Sequence, residues 1–177
     1  MGIVSNLGDF PNSIHRIFCI LFDCCLSTSR LKSKTEEEMK PSLILIRGMP
    51  GSGKTTLANL FPQEWRVFEA DMYFIDPHGR YVFDGSKIKD AHAWCRKNTE
   101  QAIAKGNDVI VSNTFTTKWE MKPYFDIAKK YDIVPQVILM QNQFDSVHDV
   151  PEDVMRRMEE RFEYNINELF EGLKNES

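Results

Sequence analysis

A chain of 177 residues with 42% hydrophobic content buries one substantial core and carries no compositional mark of disorder. A formal charge of -4 and a pI near 5.6 supply no broad cationic face, which excludes tracking along duplex nucleic acid by phosphate neutralisation and leaves a nucleotide or a single strand end as a partner. The four cysteines, three of them at Cys19, Cys24 and Cys25, show neither paired CxxC spacing nor a histidine cluster, so the reading is of reduced thiols in a cytoplasmic protein rather than a zinc site or disulfide framework.

Residues 1–38 end in the charged run STSRLKSKTEEE, which reads as a linker. The segment is expected to be a poorly ordered tail, or an upstream extension of a protein whose real start is Met39, with the domain proper over residues 39–177. A competing signal is the helical spacing of Ile14, Ile17, Phe18, Leu21 and Cys25. The apolar stretch 17–26 is too short to span a bilayer and is broken by Asp23, while the opening MGIVSN misses the myristoylation pattern at Asn6. Nothing in the sequence calls for a membrane or for an obligate protein partner.

From residue 42 the pattern alternates. Residues 42–46 read as a buried strand, 54–61 as the helix after a glycine loop, and 67–69 as a short strand leading to Asp71. The loop PHGRYVFDGSK precedes a helix over 87–105 closed by Gly106, and residues 108–111 are strand-like. TTKWEMKPYFDIAKKY predicts a further helix whose start is blurred by Pro123. Residues 133–140 form a fourth predicted strand. Pro151 then opens one last helix with Val154, Met155, Met158, Phe162, Ile166 and Leu169 at helical spacing. Such alternation implies an α/β three-layer sandwich, with a mostly parallel sheet covered on both faces.

Gly48-Met49-Pro50-Gly51-Ser52-Gly53-Lys54-Thr55 fits GxxxxGK[ST] completely. Glycines let the backbone curl so that successive N–H groups face one anion. Lys54 reaches the terminal phosphates of a nucleotide, and the Thr55 hydroxyl is offered to magnesium, with Thr56 next in the same turn. A chance match in a chain this long is about one in a hundred from residue frequencies. The expected ligands are therefore ATP and Mg2+.

In an open parallel sheet, ligands collect at the carboxyl ends of strands, where Asp71 falls. Its carboxylate suits a general base for a hydroxyl, a metal contact, or a plain loop acid. Asn113 and Thr114 follow the strand DVIVS at the same mouth, as substrate-positioning groups or a polar turn. That strand ends in Ser112, where a conventional Walker B strand ends in an acid that helps hold magnesium. Arg80, Lys87, Lys89, Arg96 and Lys97 are interleaved with Tyr81, Phe83 and Trp94, a mixture that suits a single-stranded end and makes Arg80 a substrate candidate.

The segments RGMPGSGKTT, EADMYF, HGRYVFDGSKIKDAHAWC, VIVSNTFTTKWEMKPY and VHDVPEDVMRRMEERFE resemble, over residues 42–165, the P-loop kinases related to the kinase half of phage polynucleotide kinase and the associated AAA-type ATP-binding proteins. The resemblance implies ATP and magnesium at Lys54 and Thr55. It also implies Asp71 as general base on a 5'-hydroxyl and a second candidate for the metal, Asn113 and Thr114 beside the acceptor, and a short mobile lid before Pro151. Arg156, Arg157 and Arg161 are the candidates for the lid arginine that neutralises transition-state charge. Three positions depart from the family pattern. Phe74 stands where the phage enzyme has a substrate-binding arginine, Met72 replaces a second acid, and Ser112 replaces a common aspartate. The expected activity is transfer of the γ-phosphate of ATP to the 5'-hydroxyl of a polynucleotide end. The alternatives are a small-molecule or nucleotide kinase, and an ATP-binding switch that transfers nothing.

Overall fold

The computed structural model describes residues 40–142 and 150–174. The tail expected over residues 1–38, the cysteines within it, and most of the expected lid lie outside the described residues.

Four strands are present among the described residues: β1 (Leu43–Gly48), β2 (Arg66–Phe68), β3 (Val109–Ser112) and β4 (Gln136–Met140), in the spatial order β2-β3-β1-β4. Every pairing is parallel, with Leu45 opposite Val111 and Val137, and Phe68 opposite Val111. β1 and β3 lie inside the sheet and every one of their residues is buried, which is why they read as unbroken apolar runs. The outer strands are partly exposed.

The helices are α1 (Lys54–Ala58), α2 (Ile88–Ala104), α3 (Lys118–Lys130), α4 (Glu152–Glu160) and α5 (Asn167–Lys174). Leu43, Leu45, Val109 and Val111 pack on Cys95 and Ile103 of α2, on Met121, Tyr124 and Phe125 of α3, and on Phe170 of α5. Ile44, Ile46 and Ile110 face the other way, onto Ala58 and Leu57 of α1 and onto Phe61 and Trp65. This division follows from right-handed crossovers. The step β1 to β2 moves one way along the sheet, the steps β2 to β3 and β3 to β4 move the other way, and their helices fall on opposite faces. The loops after β1 and β3 therefore diverge and leave a crevice between them.

Two uncertain helix boundaries resolve for local reasons. The helix expected over 54–61 closes at Ala58, because Leu60 and Phe61 bond back to Leu57 and Ala58 in a tighter turn ahead of Pro62. Pro123 does not delay α3, which starts at Lys118. The carbonyl that its ring deprives of a donor belongs to Trp119, 81% exposed.

The single last helix is the larger correction, since α4 ends at Glu160 and α5 begins at Asn167. Arg47 on β1 explains the break. It is 1% exposed, its Nη2 donates to the Glu163 carbonyl at 2.8 Å, and its guanidinium lies 4.4 Å from the centre of the buried Phe162 ring. The Glu163 N–H donates to Thr116 O at 2.8 Å, and the Glu163 carboxylate accepts from Lys118 N. Both backbone groups of Glu163 are thus used away from any helix.

Burial pushes the Arg47 guanidinium below its ordinary value, against the opposing pull of Glu120 and Glu163. Arg47→Ala removes a donor from the half-buried Glu163 carbonyl and opens a void beside Phe162. Urea unfolding is expected to show a loss of about 3 kcal/mol, with Arg47→Lys intermediate. A loss under about 0.5 kcal/mol would remove Arg47 as the clamp of this break.

Candidate functional site

The glycine loop leaves β1 at Gly48, whose φ is 153°. A Cβ there would meet Met140 O at 2.4 Å and Ser52 Oγ at 2.7 Å, so any side chain would push β4 away. Gly51 and Gly53 take φ of 76° and 88° and curl the loop. Gly48 N–H donates to Thr114 O at 3.2 Å, and Ser52 N–H to Met49 O at 3.1 Å. Pro50 has no N–H to offer. The donors left for an anion are those of Gly51, Gly53 and the first turn of α1 through Lys54, Thr55 and Thr56, which no intrahelical acceptor reaches.

Lys54 Nζ donates to Met49 O at 2.8 Å, folded back over the loop. Burial pushes its ammonium down, while Glu69 and Asp71 pull it up, so the cation lies within the field of two acids. Asp71 is exposed on the short 3-10 turn Ala70–Phe74 that follows β2. Asn113, 8% exposed, accepts from Ala70 N–H through Oδ1 at 2.9 Å, and its Nδ2 approaches Cys95 Sγ at 3.7 Å. Its amide is committed to holding the turn that carries Asp71. Thr114 contributes its carbonyl to Gly48. The chain then turns through Phe115, whose φ of 45° is uncommon for a residue with a side chain. Burial to 2% exposure and an edge contact to Tyr124 at 5.3 Å hold that conformation.

Glu69 is the residue that the strand pattern concealed. Read as the last residue of a strand, it stands instead one position beyond β2, and the pairing of Phe68 with Val111 places it beside Ser112. Burial pushes its carboxyl above the usual carboxylate range, and the hydroxyls of Thr55 and Ser112 oppose that shift. Among the described residues, Glu69 Oε1, Ser112 Oγ and Ser52 Oγ are buried without hydrogen-bond partners. An acid directly after β2, next to a serine where β3 would carry one, was the available signal. Thr55 and Ser112 hydroxyls around a part-desolvated carboxylate form a hard oxygen donor set. It is incomplete without phosphate oxygens, which is how magnesium is ordinarily held in nucleotide sites. Among the described residues no cluster of three His, Cys, Asp or Glu is arranged to hold a metal ion unaided.

The remaining candidates separate. Arg80 is not free: its Nη2 lies 2.7 Å from Asp76, its Nε donates to the same carboxylate, and 73% of its side chain is exposed. Arg157 pairs with Asp153 on its own helix. Arg161 donates through Nε to Thr116 Oγ1 at 2.9 Å, with Glu120 at 3.9 Å from Nη2, which anchors it beside the loop after β3. Arg156 is exposed on α4.

The model of the AAA domain family matches residues 43–143, more than half of the chain, and the chain belongs to that family of P-loop, kinase-like domains. It is similar to NEDD4-binding protein 2 of Homo sapiens, 36% identical over 93 residues that make up 50% of this chain and 5% of that protein. It is also similar to the 2',3'-cyclic-nucleotide 3'-phosphodiesterase of Pongo abelii, 29% identical over 114 residues, covering 60% of this chain and 25% of that one. The chain therefore spans a quarter or less of the length of these relatives. Its fold is shared with a chain in the structure of the Pnkp1/Rnl/Hen1 RNA repair complex, at a TM-score of 0.58 and 13% identity, over 80% of this chain and 49% of that chain. Among the described residues no helix is long and apolar enough to cross a membrane.

Glu69 gives a pH test whose sign is fixed by its raised value. The folded chain holds the Glu69 proton more tightly than the unfolded chain, so this group costs stability as pH rises from about 4.5 through its elevated pKa. Relative to wild type, Glu69→Gln is expected to gain in melting temperature between pH 4.5 and pH 8, while its affinity for magnesium and ATP falls about tenfold. A difference that shrinks with rising pH would contradict the burial argument.

Proposed function

We propose that this chain is an ATP-dependent kinase that transfers the γ-phosphate to a hydroxyl, the 5'-hydroxyl of a polynucleotide end being the acceptor. The observation that carries the reading is the convergence of Lys54 with two acids in different settings: Glu69 half-buried against Thr55 and Ser112, and Asp71 exposed to the crevice. Donor and acceptor chemistry each have their own carboxylate. The resemblance of EADMYF and its flanking motifs to polynucleotide kinases supports the acceptor.

The free amides of the glycine loop take the phosphates. Lys54 exchanges its bond to the neutral Met49 carbonyl for bonds to the terminal phosphates, in which both partners are charged. Thr55, Glu69 and Ser112 would hold magnesium, which when bound neutralises charge on the phosphate oxygens. Asp71 accepts the proton of the attacking hydroxyl as its oxygen bonds to the γ-phosphorus and the bond to the β-bridging oxygen breaks, releasing ADP. Asn113 acts one step back by fixing the Ala70 amide, and Thr114 by fixing Gly48. Of the three candidate arginines, Arg161 is the one anchored at Thr116 on the loop after β3, which makes it the preferred candidate for the transition-state charge.

Labelled ATP, magnesium and 5'-hydroxyl oligonucleotides test the proposal. Wild type is expected to transfer label to the 5' end. Asp71→Asn should lower kcat at least about 100-fold with ATP binding retained in calorimetry, whereas Lys54→Ala should weaken ATP binding itself. ATP binding without transfer to any acceptor would replace the kinase by a nucleotide-dependent switch. Transfer confined to small hydroxyl compounds would replace the polynucleotide end.

A further inference from the structure

The segment after Asp71 turns back on itself as a small hairpin. Ile75 bridges to Tyr81 in antiparallel fashion, Val82 N–H donates to Phe74 O at 2.8 Å, and Asp76 N–H donates to Arg80 O at 2.9 Å. Tyr81 and Phe83, two residues apart on an extended stretch, project to one side. Their rings are nearly parallel, 16° apart, with centroids separated by 6.4 Å. Phe74 meets both edge-on, at 6.2 Å from Tyr81 and 5.1 Å from Phe83. Phe74 is 6% exposed and rooted on Ala70 and Ala91, so it forms a fixed floor. Phe83 is 57% exposed, and Val82 and Ile75 beside it are 58% and 51% exposed. An apolar cluster of this kind in the open needs a reason.

The spacing supplies one. Stacked bases rise by ~3.4 Å, so two such steps span ~6.8 Å, close to the separation of these parallel rings. Position points the same way. Burial raises the Tyr81 phenol and the Asp71 carboxylate adds to that shift, which places the ring within the field of the proposed base. The charges here are already paired within the loop, Arg80 with Asp76 and Lys87 with Asp84 at 3.4 Å. What the hairpin presents is ring surface rather than net positive charge.

We propose that Phe74, Tyr81 and Phe83 form an aromatic slot that receives the terminal nucleobase of the acceptor and sets its 5'-hydroxyl against Asp71. The slot selects a base-bearing acceptor by stacking, where a phosphate contact would select by charge. It deepens, and rests on, the kinase reading above. Phe74, which stands in place of an arginine in the phage enzyme, then belongs to a different means of holding the same end.

The test is fluorescence anisotropy with single-stranded 5'-hydroxyl oligonucleotides labelled at the 3' end, carrying either a base or an abasic residue at the first position. No ATP is needed. Phe83→Ala is expected to raise Kd about 5- to 100-fold, the usual range for loss of one base–aromatic stack. The abasic strand should bind wild type more weakly by a similar factor, and this penalty should be smaller in Phe83→Ala, where Tyr81 and Phe74 remain. Phe83→Trp should restore affinity, and the ratio of wild type to Phe83→Ala should hold between about 50 and 200 mM salt, because stacking releases no counterions. Unchanged melting and ATP affinity would establish that the exposed Phe83 site alone was altered. Equal Kd for wild type and Phe83→Ala, an abasic penalty undiminished in Phe83→Ala, or no binding of either strand overturns the slot. Stacking-dependent binding without phosphate transfer defeats the kinase and leaves the slot, whereas transfer indifferent to the terminal base defeats the slot and leaves the kinase.

Discussion

The structure turns on the point where β1 ends. β1 is buried on both faces, and at Gly48 it is walled by the Met140 carbonyl of β4 on one side and bonded to Thr114 O on the other. A backbone held from two neighbouring strands cannot tilt, so the amides that follow are aimed before any ligand arrives. Preorganised donors of this kind need no rearrangement when negative charge is placed among them. The same walls account for the crevice. The chain leaves Gly48 toward one face of the sheet and leaves Phe115 toward the other, and Lys54 at the first of these exits lies within the field of Glu69 and Asp71.

The donor half was legible in the sequence because it is local. Eight consecutive residues define the glycine loop, and the apolar run ahead of it could only be an interior strand. Core strands and α2 were equally plain, since Gly106 with φ of 78° closes that helix where its apolar spacing stops. What could not be read depends on which groups pair once the chain is folded. Asn113 looks like a substrate ligand until Ala70 N–H is found on its oxygen. Arg80 looks like a free cation until Asp76 is seen to hold it. The helix running through Phe162 is an honest periodicity, yet Arg47, more than a hundred residues earlier, takes the carbonyl that such a helix would need.

On the proposed reading, Glu69 and Ser112 let the site keep its chemistry with an acid on β2 in place of one on β3. Adjacent parallel strands lie about 4.8 Å apart, and a glutamate reaches one methylene farther than an aspartate. An acid at the end of β2 therefore serves the same volume as an acid at the end of β3, provided the register sets the two positions side by side, as Phe68 opposite Val111 does. The serine left on β3 adds a hydroxyl and removes a like charge that would have raised both carboxyls further. A motif search along one strand sees a loss, whereas the sheet sees an exchange between neighbours.

The two halves of the crevice differ in what they are made of, and that difference governs how each can vary. The donor side is main chain, fixed by glycines and strand register, and it tolerates little change. The acceptor side is side chains on the turn after β2 and the hairpin beyond it, supported by Asn113 and by Ala91 of α2 but not woven into the sheet. Replacing an arginine by Phe74 there costs the fold nothing, because the ring buries against Ala70 and Ala91. In the proposed slot it would change the force by which an acceptor is held, from charge, which reaches far and weakens in salt, to ring contact, which acts only at touching distance. A site built this way relies on fit at the last few ångströms rather than on attraction from afar, consistent with a chain whose net charge is negative.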